Sequence, residues 1–394
     1  MPSTPLAELE NRIQNLKNRM EEEKIDTCLM VQKTDVFYFS GTGQDAHLLI
    51  PLEGEPALMV RRSIQRAYED SPLRAVISAA SLNQIRDEIR SRCHGDPKTI
   101  GLELDVLPVN NFRVYEALFP HTTFVDASRI IRETRMKKSA YEIHLIEQAA
   151  RMNDDLFGSV KNYLKEGLSE IEFAGLLEAH YRKRGHQGFV RVRSFNQEVF
   201  YGHIMSGANL AIPSCSVGPT GGPGPHALFP QGAGKKIIKR HEPIQIDYVG
   251  VYEGYLVDQA RTFFLGEPAP EFLSVHSLAL AIQDAIVRES RIGTRAEELY
   301  DIAVAMARDA GRLEGFLGYP APVPFVGHGI GLELDELPIV GKKSPHVLEE
   351  GMVIALEPKF IFPQKGLAGI ENTFVMTAKG LEKITCFDDS IQVL

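Results

Sequence analysis

Four carboxylates fall within or at the ends of segments that otherwise read as apolar β-strands, and few folds tolerate that. Ile244 to Leu265 reads IQIDYVGVYEGYLVDQARTFFL, two runs of strand formers around Tyr252-Glu253-Gly254. The turn residues predict a hairpin that sets Asp247 nearly opposite Asp258 on one face. Further on, GMVIALEP at 351–358 ends an apolar strand on Glu357, and GIENTFV at 369–375 places Glu371 inside another. A carboxylate inside an apolar strand is costly unless it is neutralised. Two side by side persist when a cation lies between them or when they share a proton.

The segment FVGHGIG at 325–331 adds one imidazole, His328, with glycines on both sides that let another group approach its ring. Four carboxylates and one imidazole form a hard oxygen set with a single nitrogen. That set suits manganese, iron, cobalt or zinc better than copper or a thiolate-bound metal. Carboxylates can bridge, so five ligands can hold two ions roughly 3.5 Å apart, and such a pair activates water for hydrolysis.

Composition narrows the partners. A net charge of −9 and a pI near 5.8 make a poor nucleic-acid or anionic-membrane binder, since phosphate binding rests on clustered Lys and Arg. The four cysteines, Cys28, Cys93, Cys215 and Cys386, are widely spaced and predict neither a disulfide framework nor a thiolate zinc site. No secretory leader and no membrane-length apolar run is evident, so a cytoplasmic enzyme is expected.

With 394 residues the chain has room for two domains. The first reads as α/β. A helix is expected over 5–24, strands near 26–31, 36–41, 47–51, 56–60, 99–104 and 123–126, and helices near 81–92 and 110–118. A charged connector follows at 132–138. Capping boxes at Ser139–Glu142, Ser169–Glu172 and Thr294–Glu297 open three of four later helices. These helices and their glycine stops repeat, which suggests a second domain of two related halves with a ligand cleft between them. The Gly-, Pro- and Ser-rich stretch at 206–240 predicts a long loop.

Asp247 and Asp258 eleven residues apart, Ala-Arg-Thr-Phe at 260–263, Gly-His-Gly-Ile-Gly, Glu357-Pro358 and Glu371-Asn372-Thr373 occur in this order. The order resembles the pita-bread metallopeptidases, most closely the Xaa-Pro aminopeptidase and prolidase branch of family M24. Asp35-Val36-Phe37-Tyr38-Phe39-Ser40-Gly41 is similar to part of that branch's creatinase-type N-terminal domain. The resemblance implies a creatinase-like α/β domain at 1–132 and a pita-bread catalytic domain at 133–394. It implies two divalent transition-metal ions, manganese first with iron, cobalt and zinc as alternatives. Asp247 would hold one ion, Asp258 and Glu371 would bridge, and His328 and Glu357 would hold the second. Glu357 would also take a proton from the bridging water. A homodimer that cleaves the N-terminal bond of small peptides is implied.

The chain departs from that pattern at substrate-facing positions. Asp335 replaces a usual histidine before Glu336-Leu337-Pro338, Ser214 stands where another follows Ser206-Gly207-Ala208-Asn209, Gly369 replaces an arginine and Ala260 a threonine. His203 and His226 flank the long loop and could supply an imidazole; His203 and Asp335 are the candidate substrate-binding residues. Loss of one oxyanion donor costs on the order of 100-fold in rate. The departures therefore support an alternative, a hydrolase or lyase acting on a small non-peptide molecule. A non-enzymatic interaction protein ranks last, because all five ligands are kept.

Overall fold

The computed structural model describes residues 4–394, which divide into two compact units, one ending at Arg135 and the other spanning Met136–Leu394. The first unit is built on a six-stranded mixed sheet. Its order is Val76–Ser78, Ala57–Val60, Ala46–Pro51, Thr27–Met30, Thr99–Leu102 and Thr123–Asp126. Thr27–Met30 lies antiparallel to Ala46–Pro51 and parallel to Thr99–Leu102. Helix Leu6–Glu22 buries Leu9, Ile13, Leu16 and Met20, the apolar stripe its sequence spacing predicts.

One expected strand is a helix. Lys33–Ser40 is α-helical: the Gln32 side chain accepts from the Asp35 amide at its start, and Gly41, at φ 80°, closes its end. These caps and the burial of Val36, Tyr38 and Phe39 override the β preference of Val-Phe-Tyr-Phe. Helices Ile64–Asp70 and Ser128–Met136 and the short strand Val76–Ser78 were not legible in the sequence. Much of the connector expected at 132–138 belongs to the second of these helices.

In the second unit, helices Ala140–Tyr163 and Glu170–Lys183 open with the two reciprocal capping boxes, Ser139 with Glu142 and Ser169 with Glu172. The third does not form. Helix Ala296–Asp309 begins at Arg295 without a side-chain cap, while Thr294 accepts from the Arg291 amide and Glu297 from the Lys343 amide. Both groups expected to cap each other are satisfied elsewhere.

A four-stranded sheet runs Gln392–Val393, Tyr255–Phe264, Ile244–Tyr252, Gly202–Ser206. A five-stranded antiparallel sheet runs Glu336–Gly341, Phe325–Gly329, Val353–Leu356, Asn372–Thr377, Gly380–Lys383. The two sheets join where Ala260 and Glu371 exchange backbone hydrogen bonds of 3.2 and 3.3 Å. Lys359–Phe362 and Gly366–Gly369 form a separate two-stranded ribbon. Helices Pro270–Glu289 and Ala296–Asp309 pack Val275, Ile282, Ile286 and Leu299 against Ile354, Leu356 and Phe374 of the larger sheet. Among the described residues, no helix is long and apolar enough to cross a membrane.

Candidate metal centre

The joint between the two sheets gathers the acidic residues. The hairpin turns through Glu253-Gly254, both at positive φ, and pairs Asp247 with Ala260 and Val249 with Asp258. The two aspartates are therefore diagonal rather than directly opposed, but share a face. Ala260 has Asp247 across one side and Glu371 across the other, so its methyl group separates two carboxylates in one row. His328 pairs with Ala355, which puts Glu357, two residues on, on the same face as the imidazole. The pairing of Leu356 with Asn372, continued by one step, brings Glu357 against Glu371.

The glycines around His328 serve the sheet more than a ligand. A Cβ on Gly327 would lie 2.4 Å from the Ala355 carbonyl oxygen, and one on Gly329 2.1 Å from that of Leu337. They let neighbouring backbone press in on both sides of the histidine.

His328 Nδ1 lies 3.1 Å from the Gly329 carbonyl oxygen and 3.6 Å from Asp335 Oδ1. Both partners are acceptors, so Nδ1 carries a proton. In the neutral ring Nε2 then presents a lone pair. It faces Asp258 Oδ2, Glu357 Oε1 and Glu371 Oε1, each 4.0 Å away. Donor atoms of Asp258, His328 and Glu371 all lie within 4.8 Å of one another, and Glu371 Oε1 is buried without a hydrogen-bond partner. Three carboxylate oxygens and an imidazole nitrogen converging at this spacing suit one divalent cation.

Lys359, which the sequence reading missed, reaches into the same cluster. Its Nζ lies 2.7 Å from Asp247 Oδ2, 2.9 Å from Glu357 Oε2 and 2.7 Å from Glu371 Oε2. Three oxygens of the expected ligand set are thus bonded to an ammonium. A signal was present: in an extended Glu357-Pro358-Lys359, residues two apart share a face.

The electrostatics follow from burial. Asp258 is pushed up to about 7, chiefly by burial and then by Asp247, with His328 and Lys359 opposing. Burial also raises Glu357 and, more strongly, Glu371. Burial alone would lower Lys359, but Asp247, Glu357 and Glu371 together hold it well above its usual value. His328 is raised in the same way: burial acts downward, while Asp335, Glu357 and Asp258 favour its charged form.

Behind the cluster, the buried Arg261 guanidinium donates to the carbonyl oxygens of Ala260 and Glu371 and to Asn372 Oδ1, at 2.9, 2.8 and 2.9 Å. Thr373 Oγ1 donates to the Asp258 carbonyl oxygen at 2.7 Å. These bonds fix the backbone from which the carboxylates project.

A cleft of ≈ 70 Å³ opens on the cluster and is lined in part by His203, Asp335, Val192 and Leu334. His203 Nδ1 lies 3.3 Å from Thr220 Oγ1, and burial lowers its pKa, so a neutral ring faces the cleft. His226 instead lines an adjoining cavity of ≈ 430 Å³, which shares His203 in its wall. Ser214 is committed to the loop, donating to the Pro230 carbonyl oxygen. Gly369 sits opposite Lys359 in the two-stranded ribbon.

Known proteins of the same kind bear on this arrangement. Residues 144–378 match the model of metallopeptidase family M24, and residues 12–137 match the creatinase/prolidase N-terminal domain. An Xaa-Pro dipeptidase of Pyrococcus furiosus is 26% identical over 381 residues, spanning 96% of this chain and 98% of the relative. The crystal structure of the prolidase from Pyrococcus horikoshii OT3 superposes with a TM-score of 0.80 at 26% identity, covering 96% of this chain and 99% of that one. An X-Pro aminopeptidase from Thermotoga maritima MSB8 gives 0.79 at 27% identity, with 95% and 100% covered. The fold is thus a creatinase-type α/β domain followed by a pita-bread domain, and by its matched length this chain belongs to metallopeptidase family M24.

Proposed function

We propose that the chain is a metal-dependent hydrolase that cleaves an amide bond in a small substrate, with Xaa-Pro dipeptides the first candidates. The carrying observation is the convergence of Asp258 Oδ2, Glu357 Oε1 and Glu371 Oε1 on His328 Nε2 at 4.0 Å each, with Glu371 Oε1 otherwise unpartnered. These four side chains would hold one divalent ion, with manganese the first choice. When bound, that ion supplies a water acidic enough to ionise near neutral pH and polarises a carbonyl oxygen. Asp247, expected to hold an ion, accepts a hydrogen bond from Lys359, and in this reading it serves the lysine.

The chain's own residues complete the chemistry. Glu357, with Oε2 held by Lys359 and Oε1 turned toward the point faced by His328 Nε2, would stand beside the ion's water and accept its proton. The neutral His203 ring can give a hydrogen bond to, or accept one from, a substrate in the cleft. Asp335 orients the His328 ring through Nδ1 and faces the same cleft, its side chain 34% exposed. A homodimer in the cytoplasm, hydrolysing small peptides, completes the reading.

One observation favours the second reading, a small non-peptide substrate. Among the described residues no lysine or arginine lines the cleft, while Asp247, Asp258, Asp335, Glu357 and Glu371 do. The free carboxylate of a dipeptide would find no cation in that lining. A panel of Xaa-Pro dipeptides, other dipeptides and small uncharged or cationic amides, each assayed with and without added Mn²⁺, separates the two. Manganese-dependent cleavage confined to the non-peptide amides would reject the peptidase reading, and inertness of the ion-loaded protein toward all of them would reject both.

A further inference from the structure

The inference rests on the reading that the cluster binds a divalent cation, and it concerns what stands beside that cation. We propose that the Lys359 ammonium permanently fills one of the two cation positions between Asp247, Glu357 and Glu371, so that the centre takes up a single divalent ion per chain. Glu357 and Glu371 divide their oxygens between two positive charges. Each gives Oε2 to Lys359, at 2.9 and 2.7 Å, and each turns Oε1 toward the point faced by His328 Nε2. Carboxylates that bridge two cations are oriented in this way, and here one of the two is the chain's own.

Charge agrees. With all four carboxylates ionised, as ion binding requires, they and one ammonium leave three negative charges in a site where Lys359 and Glu371 are each only 1% exposed. One divalent ion reduces this to one negative charge. Two ions beside the lysine would leave the site net positive and would force a metal within bonding distance of oxygens already held by Nζ. Lysine and second ion therefore exclude each other.

The neighbouring strand is shaped for the lysine. Gly369 pairs with Lys359, and a Cβ there would lie 2.7 Å from Lys359 Cα and 2.8 Å from Lys359 Cγ. A side chain at 369 would meet the Pro358 carbonyl oxygen first, at 2.6 Å, and then the Lys359 backbone and the root of its side chain. Lys359 neutralises and orients the carboxylates, but an ammonium has no vacant coordination position, so the centre carries one Lewis acid.

The test is a count of bound ions, which needs no substrate. Metal-free protein and its Lys359→Ala variant are loaded with Mn²⁺, desalted, and analysed by elemental analysis and electron paramagnetic resonance. Wild type is expected to hold one ion with the signal of isolated Mn²⁺. Lys359→Ala is expected to hold two, with a signal broadened by coupling between them. Two ions in the wild type, or one in both proteins, would overturn the proposal while leaving the hydrolase reading intact. No ion in the wild type would overturn both. If the variant does not fold, the wild-type count decides alone.

Discussion

Arg261→Met should destabilise the second unit by about 3–5 kcal/mol, the range for breaking a buried charged network. The guanidinium is fully buried and its five N–H groups reach six acceptors, two of them sharing one hydrogen: the carbonyl oxygens of Ala260, Glu371, Phe387 and Asp388, Asn372 Oδ1 and Asp389 Oδ1. At about 1.5–3 kcal/mol per bond to a charged group, a simple sum would exceed the whole stability of most domains. Three features bring it down. Ala260 O and Glu371 O still accept from each other's amides, and Asn372 Oδ1 still accepts from Thr385. Phe387, Asp388 and Asp389 are at least partly exposed, so water can replace the lost donor there. Burial already lowers the Arg261 pKa to about 10, so removing the charge also relieves some desolvation. The Ala260–Glu371 joint would loosen as well, and metal affinity should fall about 10–100-fold, as when a group orienting metal ligands is lost. Urea unfolding followed by tyrosine fluorescence and by far-ultraviolet circular dichroism gives the first number, and Mn²⁺ calorimetry the second. A loss below about 1 kcal/mol with unchanged affinity would refute the role given to Arg261.

Other consequences are equally direct. Asp258→Ala and Glu371→Ala should each abolish ion binding and hydrolysis, read by elemental analysis and by the amide panel; a fully active variant would remove that residue from the ion site. Asp258 titrates near 7 in the ion-free folded protein against 3.8 as a free side chain. A value raised by folding contributes stability that is full below the unfolded value and lost as pH rises through the folded one. Ion binding needs the ionised carboxylate, so the rise in melting temperature on adding saturating Mn²⁺ should grow from about pH 5.5 to about pH 8. A rise that shrinks over that range would contradict the assignment. In the first unit, Arg135 Nη1 lies 2.7 Å from Asp35 Oδ1 and both side chains are at most 3% exposed. Arg135→Met should cost about 3–5 kcal/mol in urea unfolding.

The acidic cluster was legible because each of its carboxylates breaks a local rule. A carboxylate in Ile-Gln-Ile-Asp247 or Ile370-Glu371 contradicts the strand around it, and such a contradiction marks a site. The first two capping boxes were legible because both partners lie within one turn. What failed depended on partners remote in sequence or on competition between local signals. Val36-Phe37-Tyr38-Phe39 has the composition of a strand, and the Gln32 and Gly41 caps decide otherwise. Thr294 and Glu297 match a capping box in spelling, yet Glu297 is taken by Lys343, 46 residues away. Lys359 was overlooked because lysine usually signals solvent. Only the register that sets Glu357 against Glu371, with Gly369 opening the ribbon, shows that it points inward. Gly369 by itself looked like the loss of a substrate group. In the ribbon it is the space that the Pro358-Lys359 backbone needs.

Diffraction from a manganese-loaded crystal, recorded at the manganese absorption edge, tests the central claim most directly. The account predicts one anomalous peak within coordination distance of Asp258, His328, Glu357 and Glu371, with Lys359 still bonded to Asp247. Absence of any peak at the cluster in fully loaded crystals would contradict it.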